Sequence, residues 1–448
     1  MAMTDFTIIR RSMTARMFST VTTIVTVAVA VALMLVLLGM RRAARDSFER
    51  GSGNVHLILS AEPDPMSVVL NTIFYSRLPQ QYIEHARFER IVASIPVKDE
   101  SKKLVDGYAI PLAQGDSYRG LPVLATTPEF LTAFQPQVER PWKFAVGAPF
   151  SGDLQVVLGA TAARQTGLKK GDKVVLTHGS GDSRGGAPAH EHDEFKFEVV
   201  GILEASGTAH DRALIVSLQS SWIIHAQDRL EKEHGAGEHH HHGDDHDEEH
   251  VAGVDDLIPA DKKLTGVLVR LASASATGTP SVLQQVAYTL KREPGLTVAQ
   301  PAAEIVKLFG IVSNIDQVLL AMAAVVMVSS GIAIMLALYN SMEQRRRQIA
   351  ILRVLGCSRP RVFGLVLTES AMLGLIGAAV GVVLAAASQT VVTQVMKQRL
   401  GLVIEGSIAP VLGLSVVLAT VLLATLSGVV PAVMAYRTAV ARNLKPLV

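Results

Sequence analysis

Four stretches of the chain stay uncharged for longer than a soluble core helix needs. Residues 21–40 run through Val, Ala, Leu and Met without a single charge. Twenty helical residues cover about 30 Å, the hydrocarbon thickness of a bilayer. The second run, 317–342, lies between Asp316 and Glu343; the third lies between Arg361 and Lys397, broken only by Glu369; the fourth, 406–436, lies between Glu405 and Arg437. The pattern predicts membrane-spanning helices at 20–40 and at about 317–340, 362–388 and 408–436.

Between the first and second runs the pattern changes. β-Branched or aromatic runs at Val55–Leu59, Leu104–Ile110, Leu154–Leu158, Lys173–Thr177, Phe195–Leu203, Ala213–Val216 and Gly266–Leu271 predict strands. Ser281–Lys291 and Pro301–Phe309 read as helices, and Arg41–Arg50 as a stalk continuing the first span. The expected fold class is an α-helical membrane protein with four transmembrane helices plus an α+β domain over 41–315.

Arginine placement orients the spans. Arg10, Arg11 and Arg16 precede the first; Arg345, Arg346, Arg347, Arg353, Arg359 and Arg361 lie between the second and third; Arg437, Arg442 and Lys445 follow the fourth. Four spans put all three clusters on one side, which the positive-inside rule makes the cytoplasm. Both termini are then expected inside, and 41–315 with the short 397–405 linker outside, despite Arg41, Arg42 and Arg45. Phe6, Ile9, Met13 and Met17 recur at helical spacing among arginines. Residues 1–19 therefore read either as a basic amphipathic helix on the inner membrane face or as an extension of the first span.

Composition agrees with a membrane protein: 49% hydrophobic and only 18% charged, against about 25% charged in soluble domains. One cysteine, Cys357, excludes an intramolecular disulfide. No G-x-x-x-x-G-K-[ST] occurs; Gly167-Leu168-Lys169-Lys170-Gly171 has the wrong spacing. No nucleotide cofactor, nucleic-acid partner or enzymatic site is expected on this chain.

All fourteen histidines lie between His56 and His250. Gly179–Gly186 reads as a flexible loop, followed by His190, His192, Asp193 and Glu194. A tract from Glu231 to Asp256 holds His234, His239, His240, His241, His242, His246 and His250, with ten acids and one lysine. Such a segment has almost nothing to bury and is expected to be disordered when empty. Imidazole with carboxylate suits zinc or another divalent metal, although no fixed four-ligand spacing is present. The competing reading is a solvated acidic or pH-sensitive loop. His210, in Thr208-Ala209-His210-Asp211-Arg212, reads as part of a structural turn.

The stretch Glu343-Gln344-Arg345-Arg346-Arg347-Gln348-Ile349-Ala350-Ile351-Leu352-Arg353-Val354-Leu355-Gly356-Cys357-Ser358, continuing through Arg361-Val362-Phe363 to Glu369 and Gly377, resembles the signature of FtsX-like permeases. The tail Pro431-Ala432, Arg437 and Pro446-Leu447 is similar to that family's ending. Val157-Leu158-Gly159, Gly167–Val174, Val199-Val200-Gly201-Ile202-Leu203, Thr208 and Asp211-Arg212-Ala213 resemble a MacB-type periplasmic domain. The resemblance is thus to MacB/FtsX-type (LolC/LolE-like) ABC transporter permease subunits. It implies an inner-membrane protein that pairs with a second permease copy, homo- or heteromeric. It also implies two copies of a separate cytoplasmic ATPase and a periplasmic adaptor or substrate-binding partner. ATP-driven motion would pass through the helices to the outer domain for export or substrate handling. An FtsX-like transmitter that activates a partner such as a cell-wall hydrolase is the alternative.

On that resemblance Glu343, Arg345, Arg346, Arg347, Arg353, Gly356, Arg359 and Arg361 form the ATPase-coupling element; without it, the arginines would only satisfy the positive-inside rule. Ile349, Leu352 and Leu355 at helical spacing predict an interfacial helix there, ended by Gly356 and followed by a cap at Ser358. Glu369, a carboxylate inside a span, is a functional candidate by its position; the resemblance, which carries a Glu there, favours a structural role, bonding a neighbouring helix or the interface. Gly377 and Gly381 form a G-x-x-x-G with Gly374 nearby, a face that serves either a dimer or packing within one subunit.

Overall fold

A computed structural model describes residues 5–97, 105–178, 190–235, 251–275, 278–354, 356–399 and 410–437. The expected Gly179–Gly186 loop, His239, His240, His241, His242, His246, His250, Leu355, Arg442, Lys445 and Pro446-Leu447 lie outside the described residues, as does most of the 397–405 linker. Contacts divide the chain into a helical unit (Met1–Ala44, Ile311–Val395, Glu405–Val448) and a sheet unit (Arg45–Gly310, with Met396–Ile404).

Among the described residues, four helices are long and apolar enough to cross a membrane: Met17–Ala43, Pro301–Met342, Arg359–Gln394 and Pro410–Arg437. The first lies within the unbroken helix Met17–Gly51, so the expected stalk is helical. The second lies within Pro301–Val354, 54 residues long, or about 80 Å of helix. The separately expected helices at Pro301–Phe309 and 343–355 are the two ends of this one element, because nothing between them breaks a helix: no proline follows Pro301, and Gly310 and Gly331 do not interrupt it. The fourth span does break, at Gly428, between Pro410–Ser427 and Val429–Arg437. Pro431 has no N–H to donate to the Ser427 carbonyl, so the hydrogen-bond ladder fails there. Val27, Val31, Leu35, Met327, Ile334, Leu338, Leu373, Ala378, Val416 and Ala424 bring all four spans into one packed cluster.

The sheet unit is built on a ten-stranded mixed sheet. Six strands close into a ring by successive pairings: Tyr108–Tyr118, Leu121–Thr126, Leu214–Ser217, Gln155–Leu158, His190–Leu203, Lys173–His178 and back to Tyr108–Tyr118. Leu121–Thr126 with Leu214–Ser217, and Gln155–Leu158 with His190–Leu203, are parallel pairs. Alternating side chains serve two cores. Val156, Leu158, Leu214 and Val216 join one cluster with Phe197 and Trp222. Val157 and Ile215 join the other with Ile58, Phe130 and Phe134. Burial of both faces explains why these strands read as continuous apolar runs.

The sequence reading missed the strands Leu121–Thr126, Phe144–Gly147 and Thr297–Ala299, and the helices Pro65–Phe74, His85–Ala93 and Leu218–Gly235. The last corrects an expectation: residues 231–235 of the acidic histidine tract are helical, and 254–256 form a 3-10 turn. Both ends are anchored. Gln227 accepts from the Ala252 N–H at 2.8 Å, and Arg229 donates to Asp261 and to the Asp256 carbonyl. Leu218–Gly235 ends in charge and histidine rather than in apolar periodicity, which hid it.

Candidate functional site

The arginine-rich segment is the end of the long helix, not a separate interfacial one. Helical backbone runs through Glu343, Arg345, Arg346, Arg347 and Arg353 to Val354. Gly356, at φ +96°, takes the left-handed conformation that only glycine adopts freely and reverses the chain. The next helix, Arg359–Arg399, starts just after Ser358, whose carbonyl accepts from the Val362 N–H at 3.2 Å. Ile349 and Met342 are buried here against Val362, Val366, Ala432 and Ala435. This apolar base leaves Arg359 and Arg361 exposed and Arg353 half-buried, with the Arg359 guanidinium 5.9 Å from the Tyr436 ring.

The N-terminal residues form their own helix, Asp5–Thr14, joined to the first span through a turn at Ala15–Arg16. It is not a simple extension of that span. Its inner face is packed: Ile9 and Ser12 are buried. The Ser12 hydroxyl donates to Glu369 Oε1 at 2.5 Å, and Arg16 donates to the Ser341 carbonyl at 2.8 Å. Glu369 thus has a partner 357 residues away, a hydrogen bond that lowers the cost of keeping a carboxyl group out of water.

The glycine face of the third span packs within the subunit. A Cβ added at Gly377 would stand 2.6 Å from Val27 Cγ1, and one at Gly381 would stand 2.7 Å from Val31 Cβ and 2.8 Å from the Ala28 carbonyl. One at Gly374 would overlap Ala424 Cβ. Gly377 and Gly381 therefore admit the first span, and Gly374 the fourth.

In the sheet unit the structure brings together two separated motifs. Gly159 lies under the 3-10 turn Ala209–Arg212: a Cβ there would meet the Asp211 and His210 carbonyls at 2.5 and 2.6 Å. Asp211 binds the loop before it, accepting from the Ser206 N–H and hydroxyl at 2.8 and 2.7 Å and from the Gly207 N–H at 3.0 Å. Burial raises its carboxyl above the usual range. His210 sits in a box of Tyr75, Phe130, Phe134 and Trp142 rings, all 5.5–6.0 Å away and edge-on. Its Nδ1 shares a 2.6 Å hydrogen bond with Tyr75 Oη, and Nε2 has no polar partner. Burial pushes its pKa down to about 3, so the ring is neutral. The Tyr75 bond and the surrounding rings pack His210 into the core, so the turn reads as structural.

His190 and His192 begin the strand His190–Leu203 rather than a loose segment, and His234 lies in the last turn of Leu218–Gly235. Among the described residues no group of three or more His, Cys, Asp or Glu is placed to hold a metal ion.

Comparison with known families gives two matches. Residues 17–306 match the MacB-like periplasmic core domain, and residues 320–440 match the FtsX-like permease C-terminal domain. A comparison with curated proteins returned no match.

Proposed function

Because the chain belongs to the MacB/FtsX-type ABC transporter permeases, membrane components that work with an ATPase and are not catalytic by themselves, we propose that it passes ATP-driven motion from a separate cytoplasmic ATPase to its sheet unit. The work done there is export or substrate handling. The protein acts as a homo- or heterodimer in the inner membrane, with both termini cytoplasmic and the sheet unit outside. The observation that carries this reading is the 54-residue helix Pro301–Val354. It joins the last residues of the MacB-like match to the arginine-rich segment of the FtsX-like match without a break. That continuity gives displacement of its arginine-rich end a route along the chain. The coupling residues are Glu343, Arg345, Arg346, Arg347, Arg353, Arg359 and Arg361, with Gly356 setting the turn; their charge suits an acidic groove on an ATPase.

The test is reconstitution with the ATPase. Wild-type permease is expected to bind it and alter its hydrolysis rate, and Arg345→Glu/Arg346→Glu/Arg347→Glu to lose both effects. Unchanged binding and hydrolysis with the triple variant would refute the coupling assignment.

We further propose that the 231–256 tract, with His190 and His192 as added donors, gathers zinc or another divalent metal. The seven histidines and ten acids of the tract support this. Calorimetric titration of the full-length protein with zinc should show binding that is lost on deleting 236–250; no binding by the intact protein rejects it.

A further inference from the structure

The sheet unit holds a second feature that coupling does not use. A cavity of about 790 Å³ opens between the helices His85–Ala93 and Leu218–Gly235 and the loops after Thr126 and Phe150. It lies at the carboxyl ends of the parallel strands Leu121–Thr126 and Leu214–Ser217, whose last residues, Thr126 and Ser217, are register partners and both line it. Strand ends of this kind release backbone into loops and leave a crevice, a recurrent place for ligands. The volume falls in the range of sites for drug-sized molecules, about 300–1,000 Å³.

Its walls have two chemistries. Phe88, Phe150 and Trp222, with Val92, Ile110 and Leu218, give it walls of mixed aromatic and aliphatic side chains. His85 stands edge-on to Trp222 with centroids 4.9 Å apart; burial lowers its pKa, with Glu89, 3.7 Å away, acting the other way. The rim carries Glu129 and Asp153, both exposed. The Ser217 hydroxyl, 3.0 Å away, fixes the Asp153 carboxylate. Among the described lining residues there is no lysine or arginine. An apolar body inside and a positive group at the rim would satisfy both halves. An anion would meet like charge, and a neutral molecule would gain only the walls.

We propose that this cavity binds small amphipathic organic cations: an apolar or ring body against Phe88, Phe150 and Trp222, with an ammonium group at the exposed carboxylates Glu129 and Asp153. Naming such a ligand a transported substrate rests on the permease reading; binding itself does not.

The chain has two tryptophans, Trp142 and Trp222. In Trp142→Phe the remaining indole lines the cavity. Full-length protein in lipid nanodiscs is titrated with a dansyl-alkylamine, its N-acetylated neutral form and the matched carboxylate, reading energy transfer from Trp222; equilibrium dialysis of the wild type repeats the series without that substitution. We expect saturable binding of the amine, about tenfold tighter than the neutral form, and an advantage lost in Glu129→Gln/Asp153→Asn. Equal affinity for all three probes, an amine preference that survives the double variant, or no saturable signal would overturn the proposal. The titration contains neither ATPase nor ATP, so its failure leaves the coupling experiment standing, and the reverse holds as well.

Discussion

Glycine does different work in the two units. In the helical unit, Gly374, Gly377 and Gly381 face mainly side chains of neighbouring helices: Ala424, Val27 and Val31. In the sheet unit, Gly107, Gly159 and Gly201 face main-chain carbonyls of Arg270, Asp211 and Ala148. The Cβ atoms of Ala424, Val27 and Val31 cannot rotate away, so an added methyl there must push a neighbouring helix aside; in the sheet unit it must displace a main-chain carbonyl. The polar ties differ in the same sense. Ser12–Glu369 and Arg16–Ser341 are discrete bonds between helices, whereas the sheet unit is knitted by a closed ring of strand pairings. The helical unit is held by contacts between separate helices, and the sheet unit by main-chain pairings.

Substitutions should separate the two. Gly159→Ala is expected to cost the most, about 4 kcal/mol, because two carbonyls block the methyl; thermal unfolding and protease sensitivity of the full-length protein would read it. Next comes pH. His210 is neutral when folded, with a pKa near 3 against 6.5 for a free histidine. The unfolded chain therefore takes up the proton first, and stability falls as pH drops below about 6.5. The loss is roughly 2–3 kcal/mol by about pH 4.5, opposed in part by Asp211, whose raised carboxyl pKa acts the other way. His210→Phe/Tyr75→Phe removes both hydrogen-bonding partners and should flatten the acid limb of the unfolding curve. Gly377→Ala should cost less, about 1–2 kcal/mol, since Val27 and its helix can shift. Glu369→Gln keeps an acceptor for Ser12 and should cost under about 1 kcal/mol. A Gly377→Ala penalty as large as that of Gly159→Ala would erase the contrast.

The spans were legible because freedom from charge over twenty or more residues has few alternatives. Strands such as Lys173–His178 and Gly266–Arg270 were legible from β-branched runs. Leu121–Thr126 was not: Pro122 and two alanine or threonine positions break its pattern. Phe144–Gly147 was hidden as a four-residue, largely exposed edge. The structural role of the His210 turn could be read locally, but its aromatic box could not, since Tyr75, Phe130, Phe134 and Trp142 come from separate segments. The sequence favoured a structural Glu369 but left its partner open between a helix and the interface; only the fold brings Ser12 to it. The glycine motif left dimer and internal packing equal, and its contacts with Val27, Val31 and Ala424 decide for internal packing.

The central claim is that motion travels along Pro301–Val354. Both tryptophans, Trp142 and Trp222, lie in the sheet unit, so permease carrying 5-fluorotryptophan, assembled with unlabelled ATPase in nanodiscs, reports on that unit alone by fluorine NMR. The account predicts that ATP shifts these resonances, and that Ile311→Pro, which breaks the helix, abolishes the shift while hydrolysis continues. Resonances that stay fixed through turnover, or a shift that persists in Ile311→Pro, would contradict it.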